Sequence, residues 1–187
     1  MFFYKIKRLG CGQRLPYVIN DDVLDEIYEN LQNAVKTQSK QLSIMYLNVS
    51  TFCNLACKYC FIENNPISKN SCQKMSFDTA KIAVDKFVAE ITRTNVEEPQ
   101  IIIYGGEPLT NFELSQEIVM YIRKIKKDLA VTVITNGTLL RETEIKFLKK
   151  HKIGIGISLD GPKFINDKNR VFKGGNESVY DSAIKGI

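Results

Sequence analysis

From Leu42 onward the chain alternates two patterns. Continuous apolar runs recur at 42–49, 100–104, 130–134 and 153–159. Between them, apolar residues return every three or four positions, the period of a helix with one buried face. Ala80, Ile82, Ala83, Phe87, Val88 and Ile91 form one such stripe, behind Ser76 as a helix-capping residue. Leu114, Ile118, Val119, Ile122 and Ile125 form a second, over about 113–127, and 141–150 reads as a third helix. Leu42 to Val49 is apolar at both odd and even positions, which predicts a strand covered on both faces. A polar loop with Asn64, Asn65 and Pro66 lies between the first strand and first helix. A loop with Gly174 and Gly175 precedes a last helix that has barely begun at Ile187. Strands alternating with helices predict right-handed βαβ units and a parallel sheet.

Residues 1–41 read differently, as a small N-terminal extension to the region 42–187. Phe2 to Ile6 and Tyr17 to Ile19 suit short strands joined through Gly10, Cys11 and Gly12. Asp21 or Asp22 caps a helix with the stripe Val23, Leu24, Ile27, Tyr28, Leu31, Ala34 and Val35. A segment of this size does not make an independent core.

Composition narrows the class. The 187 residues are 44% hydrophobic and 25% charged, as in ordinary globular domains. No apolar run approaches the roughly 20 residues that span a bilayer, so no membrane partner is expected. The net charge of +5 raises the question of nucleic acid. The bases, however, sit at helix ends: Arg123, Lys124, Lys126 and Lys127 close one helix, and Lys146, Lys149, Lys150 and Lys152 close another that opens with Glu142 and Glu144. Acid at the start and base at the end complement the helix dipole, which reads as solvated termini and not as a nucleic-acid surface.

Cysteine changes the picture. Cys53, Cys57 and Cys60 fall within eight residues directly after the first strand. Three thiolates can hold three irons of a cubic cluster and leave the fourth open to a small molecule. A zinc site asks for four ligands, which Cys11, Cys72 or the single histidine, His151, would have to complete. A disulfide framework suits an odd count of five poorly, and the charged start Met1 to Arg8 does not read as a secretory signal. A reducing, cytoplasmic setting fits thiolate ligation, with Cys11 and Cys72 structural or incidental.

Three further loops follow strands: Gly105-Gly106-Glu107-Pro108-Leu109, then Thr135-Asn136-Gly137 and Ile157-Ser158-Leu159-Asp160-Gly161 after the next two. The CxxxCxxC spacing, the aromatic Tyr59 before the last cysteine, and the GGEP loop together resemble the radical S-adenosylmethionine (radical SAM) enzymes over roughly 42–187. The wording is most similar to the SPASM-type branch, which includes peptide and sulfatase maturases.

The resemblance implies an α/β fold, a partial (β/α) barrel of parallel strands with about four of the family's six βα units present. The chain then looks like the N-terminal part of a longer enzyme, truncated at its C-terminal end. It implies a 4Fe–4S cluster on Cys53, Cys57 and Cys60, at which S-adenosylmethionine is reductively cleaved to a 5′-deoxyadenosyl radical that takes hydrogen from a substrate, a peptide or protein by branch resemblance. The electron comes from reduced flavodoxin or ferredoxin. By motif match, Gly105 and Gly106 admit the methionine ammonium and Pro108 stiffens their loop. Glu107 anchors that loop, and Tyr59 stacks near the adenine or shields the cluster. Ser158 bonds the ribose, and Arg170 pairs with the methionine carboxylate. Asn136 and Asp160 are candidate cofactor contacts, although Asn-Gly and Asp-Gly are also turn signals. A branched side chain at Gly106 is expected to block the cofactor and spare the cluster. The alternative reading is a non-catalytic iron–sulfur or zinc-binding module. With four units, the last strand is expected to end the sheet as an apolar edge prone to self-association, with poor cofactor cleavage.

Overall fold

Four parallel strands form where the apolar runs lie, each followed by helical structure. In this computed structural model the described residues are 42–62 and 73–186, with the helical positions Glu26 and Glu29 before them. Apart from those two positions, the expected elements within 1–41, the loop around Pro66, Cys11 and Cys72 fall outside them. The strands are β1 (Ile44–Ser50), β2 (Gln100–Gly105), β3 (Ala130–Thr135) and β4 (Gly154–Ile157). They lie side by side in chain order, all parallel. Leu47, Ile103, Val133 and Ile155 share one row across the sheet.

That row fixes which face is buried. Leu47, Val49, Ile101, Ile103, Val131 and Val133 pack against Val84, Phe87 and Ile91 of α1 (Phe77–Thr94), Ile118 and Ile122 of α2 (Phe112–Ile125), and Leu148 of α3 (Glu142–Lys150). Ile101 and Ile103 are wholly enclosed, each contributing about 1.5–3 kcal/mol by burial. Among the described residues the opposite face is covered less. Leu42, Ile44 and Tyr46 are exposed, so the first strand is apolar on both sides yet covered on one. Tyr46 meets Tyr104 edge to face, and Gln100 donates to Thr132 across the same side, 2.6 Å away. This is the inward face of an open barrel, where polar and aromatic side chains stand among aliphatics such as Ile102.

The helices start where their caps predict. Ser76 Oγ accepts from the N–H of Thr79, and the Arg141 N–H donates to the Glu144 carboxylate at the head of α3. Two helices differ from expectation. Residues 163–169 form α4 (Lys163–Asn169), in a stretch that lacks an apolar stripe, and Phe164 and Ile165 on it are exposed. The final helix, α5 (Val179–Lys185), begins well before Ile187 because Ser178 caps it, accepting from the Asp181 N–H at 3.0 Å. Among the described residues β4 pairs on one side only, and its Ile155 is exposed.

Candidate cofactor site

Every loop singled out by its motif leaves the C-terminal end of a strand: the cysteines after β1, Gly105 to Pro108 after β2, Asn136 after β3, and Ser158 to Asp160 after β4. Active sites of βα barrels collect at that edge.

Glu107 ties three of these loops together. It is fully buried. Its carboxylate accepts from the N–H of Leu109 (3.0 Å), the hydroxyl of Thr135 (2.7 Å) and the N–H of Asn136 (2.8 Å). Its own N–H donates to the carbonyl of Phe52 in the cysteine loop. Burial pushes its pKa up, and the three donors pull against that shift. Pro108 opens a short 3₁₀ turn, Pro108–Asn111, that leads into α2.

The two glycines before Glu107 answer to the cysteine loop. Gly105 has φ +148°, and a Cβ there would stand 2.3 Å from the carbonyl oxygen of Ser50. At Gly106 a Cβ would meet the carbonyl oxygens of Phe52 and Thr51 at 2.5 and 2.6 Å. The Gly106 N–H donates to Ser50. Bulk at Gly106 would therefore displace the cysteine loop itself, where the sequence led us to expect that only the cofactor would suffer.

The cysteine loop has a second support that sequence reasoning missed. Residues 169–173, which begin at the last residue of α4, run antiparallel to that loop. The N–H groups of Ala56 and Lys58 donate to Val171 and Asn169, and that of Lys173 donates back to Asn54. Leu55 and Phe172 form the bridge between them. The apolar pair Val171 and Phe172 after a charged stretch was the available signal.

The same segment carries Arg170, which forms an ion pair with Asp160 at 2.8 Å. Asp160 also accepts from the hydroxyl of Tyr59, and the Arg170 guanidinium lies over the Tyr59 ring, 5.6 Å from its centroid. Partial burial of the hydroxyl and its bond to Asp160 push Tyr59 up to about 12, although the residue as a whole is 54% exposed. Tyr59, Asp160 and Arg170 are thus one group, joining the cysteine loop to the end of β4. Ser158 is half-buried and continues the ladder through its N–H to Thr135.

None of Cys53, Cys57 and Cys60 is in a disulfide, and all three are half-buried. Burial pushes the Cys53 thiol up to about 11, with the nearby Glu107 and Cys57 adding to the rise. Burial also raises Cys57, against the pull of Arg170, and Cys60 raises it further. Within the trio, Cys53 feels the charge of Cys57, and Cys57 that of Cys60. Among the described residues they are not closed into a ready-made ligand set.

The radical SAM superfamily model matches residues 47–185. The chain belongs to that superfamily. It is 35% identical over 145 residues to an uncharacterized protein of Methanocaldococcus jannaschii, covering 76% of this chain and 46% of the other. It is 31% identical over 137 residues to a cysteine-type anaerobic sulfatase-maturating enzyme of Clostridium novyi, covering 71% and 36%. The solved structure of native anSMEcpe with bound AdoMet and Kp18Cys peptide superposes with a TM-score of 0.63 at 27% identity, over 76% of this chain and 38% of that one. The partial barrel and the SPASM-type likeness expected from the motifs both hold. The chain spans less than half the length of the curated relatives it matches.

Radical SAM enzymes use a 4Fe–4S cluster and S-adenosylmethionine. The donor set of this chain suits such a cluster, because three half-buried thiols, none in a disulfide, share one loop. The fit lies in that donor chemistry, not in preformed ligation. A cavity of about 450 Å³ lies at the other end of the strands, beside Ala130 and His151. Its Arg123 is engaged by the carbonyls of Leu129, His151 and Lys152, so that cavity is a structural feature of the sheet's base.

Proposed function

We propose that this chain is the cluster- and cofactor-binding part of a radical SAM enzyme that acts on a peptide or protein in the cytoplasm. The observation that carries the reading is the convergence of the three-cysteine loop, Glu107 and the Tyr59–Asp160–Arg170 group at the C-terminal edge of one parallel sheet. Cys53, Cys57 and Cys60 would hold a 4Fe–4S cluster. When bound, such a cluster supplies the single electron that splits S-adenosylmethionine into methionine and a 5′-deoxyadenosyl radical, which takes a hydrogen atom from the substrate.

The residues of this chain bind and orient. Glu107 holds the glycine loop against the cysteine loop, so backbone groups beside Gly105 and Gly106 are positioned for the methionine amine. Arg170 offers its guanidinium to the methionine carboxylate. Asp160 engages Nε, and the two terminal amino groups form the fork that suits a carboxylate. Ser158 and Asn136 line the mouth for the nucleoside, and Tyr59 covers it. Reduced flavodoxin or ferredoxin would donate the electron. A peptide substrate is favoured by the likeness to sulfatase-maturating enzymes and to the peptide-bound structure.

Anaerobic reconstitution tests the reading. The protein should turn brown and, once reduced, give an electron-paramagnetic (EPR) signal that S-adenosylmethionine perturbs, with 5′-deoxyadenosine released. Alanine at Cys53, Cys57 or Cys60 should strip the iron, and Cys72→Ala should not. A colourless zinc-loaded protein, or iron lost with Cys72 and kept without Cys57, would overturn it.

A further inference from the structure

We infer that Asn136 sets the reduction potential of the cluster by donating a hydrogen bond to the ligand sulfur of Cys53. The inference rests on the cluster reading above. The Asn136 side chain is buried, 6% exposed. Its backbone is fixed by the N–H bond to Glu107. Its Oδ1 accepts from the N–H of Thr138 at 3.0 Å and from the Thr138 hydroxyl at 2.7 Å. A backbone N–H can only meet an acceptor, so the amide oxygen faces Thr138 and Nδ2 must face the other way. One Nδ2 hydrogen goes to Asn54 Oδ1 at 2.9 Å, and the other points to Cys53 Sγ at 3.8 Å. Asn54 is held in turn, its Nδ2 donating to the Thr138 hydroxyl at 2.8 Å. The three side chains close a ring that leaves the amide one orientation. The Leu55 N–H reaches the same sulfur at 3.4 Å.

Reduction places negative charge on the cluster and its thiolates. A donor aimed at a ligand sulfur stabilises the reduced form and raises the potential. The effect is larger in a buried, low-dielectric setting. The Glu107 carboxylate lies near enough to Cys53 to oppose added charge there. Asn136 stands between the two, its N–H on the carboxylate and its amide on the sulfur. Asn136 is therefore a positioning residue whose effect is read in a potential.

The test is an EPR-monitored redox titration of the anaerobically reconstituted protein and two variants. Asn136→Asp replaces the donor with an acceptor and should lower the reduced-to-oxidised ratio at fixed potential at least tenfold, about 59 mV for one electron. Asn136→Ser, too short to reach the sulfur, should lower it at least threefold. Midpoints equal to that of the unmodified protein in the variants that bind iron would overturn the inference and leave the cluster reading standing. An unmodified protein that takes up no cluster would remove both. If neither variant holds iron, the unmodified protein labelled with ¹⁵N at its asparagine side-chain amides decides. The reduced cluster's pulsed EPR spectrum should then carry an amide nitrogen coupling, and its absence would overturn the inference.

Discussion

The backbone N–H of Asn136 and the carboxylate of Glu107 are joined by a 2.8 Å hydrogen bond that ties the loop after β3 to the loop after β2. All three groups that meet this carboxylate are donors, so only an acceptor on both oxygens satisfies them. Glu107→Gln turns an amide NH₂ toward at least one of them. Leaving a buried donor unmet costs about 1–3 kcal/mol. Chemical denaturation of the apo-protein should show a loss of that size, and an unchanged midpoint would mean that the carboxylate is not the tie.

Gly106→Ala should damage the cysteine loop directly. Its Cβ would press on two backbone carbonyls that have no flexible end to yield. We expect about 1–3 kcal/mol of destabilisation, in the range of an overpacked site, together with reduced iron uptake. Gly175→Ala is the control, since its Cβ would meet Phe172 at an ordinary 3.6 Å. Normal iron binding by Gly106→Ala, measured colorimetrically, would show that the loop can move aside.

Asp160→Asn should loosen the Tyr59–Asp160–Arg170 group. The side chains of Arg170 and Asp160 are 14% and 19% exposed, between a surface pair and a fully buried one. The expected cost is about 1–2 kcal/mol in urea unfolding. Tyr59→Phe removes one hydroxyl from an exposed residue and should cost about 0.5 kcal/mol. Equal losses for the two variants would contradict this ranking.

His151 gives stability a pH dependence. Burial, with Lys150 and Arg123 nearby, holds its pKa below the usual value of 6.5, and its ring packs on Phe147. The folded state thus favours neutral imidazole, and the unfolded chain binds the proton more readily. The contribution is whole above about pH 6.5 and is lost as pH falls through the lowered folded value. His151→Gln should flatten the slope of unfolding free energy just below about pH 6.5. A slope that stays unchanged would place its origin in other groups.

Strands, helices and cysteines were legible because each leaves a local mark. Continuous apolar runs gave the parallel strands, and Ser76 gave a helix start. Cys53, Cys57 and Cys60 announced themselves by spacing. What was not legible depends on partners distant in sequence. Asn54 reads as filler inside the cysteine motif, and its value comes from Thr138 and Asn136. α4 lacks a stripe because much of its support is polar: Asn166 is fully buried and accepts from the Asp160 N–H. The exposed face of Tyr46 reads as core because an open barrel lines its inside with residues that periodicity assigns to a covered sheet.

The pairing of residues 54–58 with 169–173 also sets an order in time. A ribosome finishes Cys60 on the order of ten seconds before it finishes Lys173, at about 5–20 residues per second. Through that interval the nascent chain presents three thiols with neither Arg170 nor the Val171–Phe172 pair behind them. Iron inserted then would meet a slack loop, and an oxidant would meet accessible sulfur. Loading belongs after the second half of the sheet has been synthesised and has folded back.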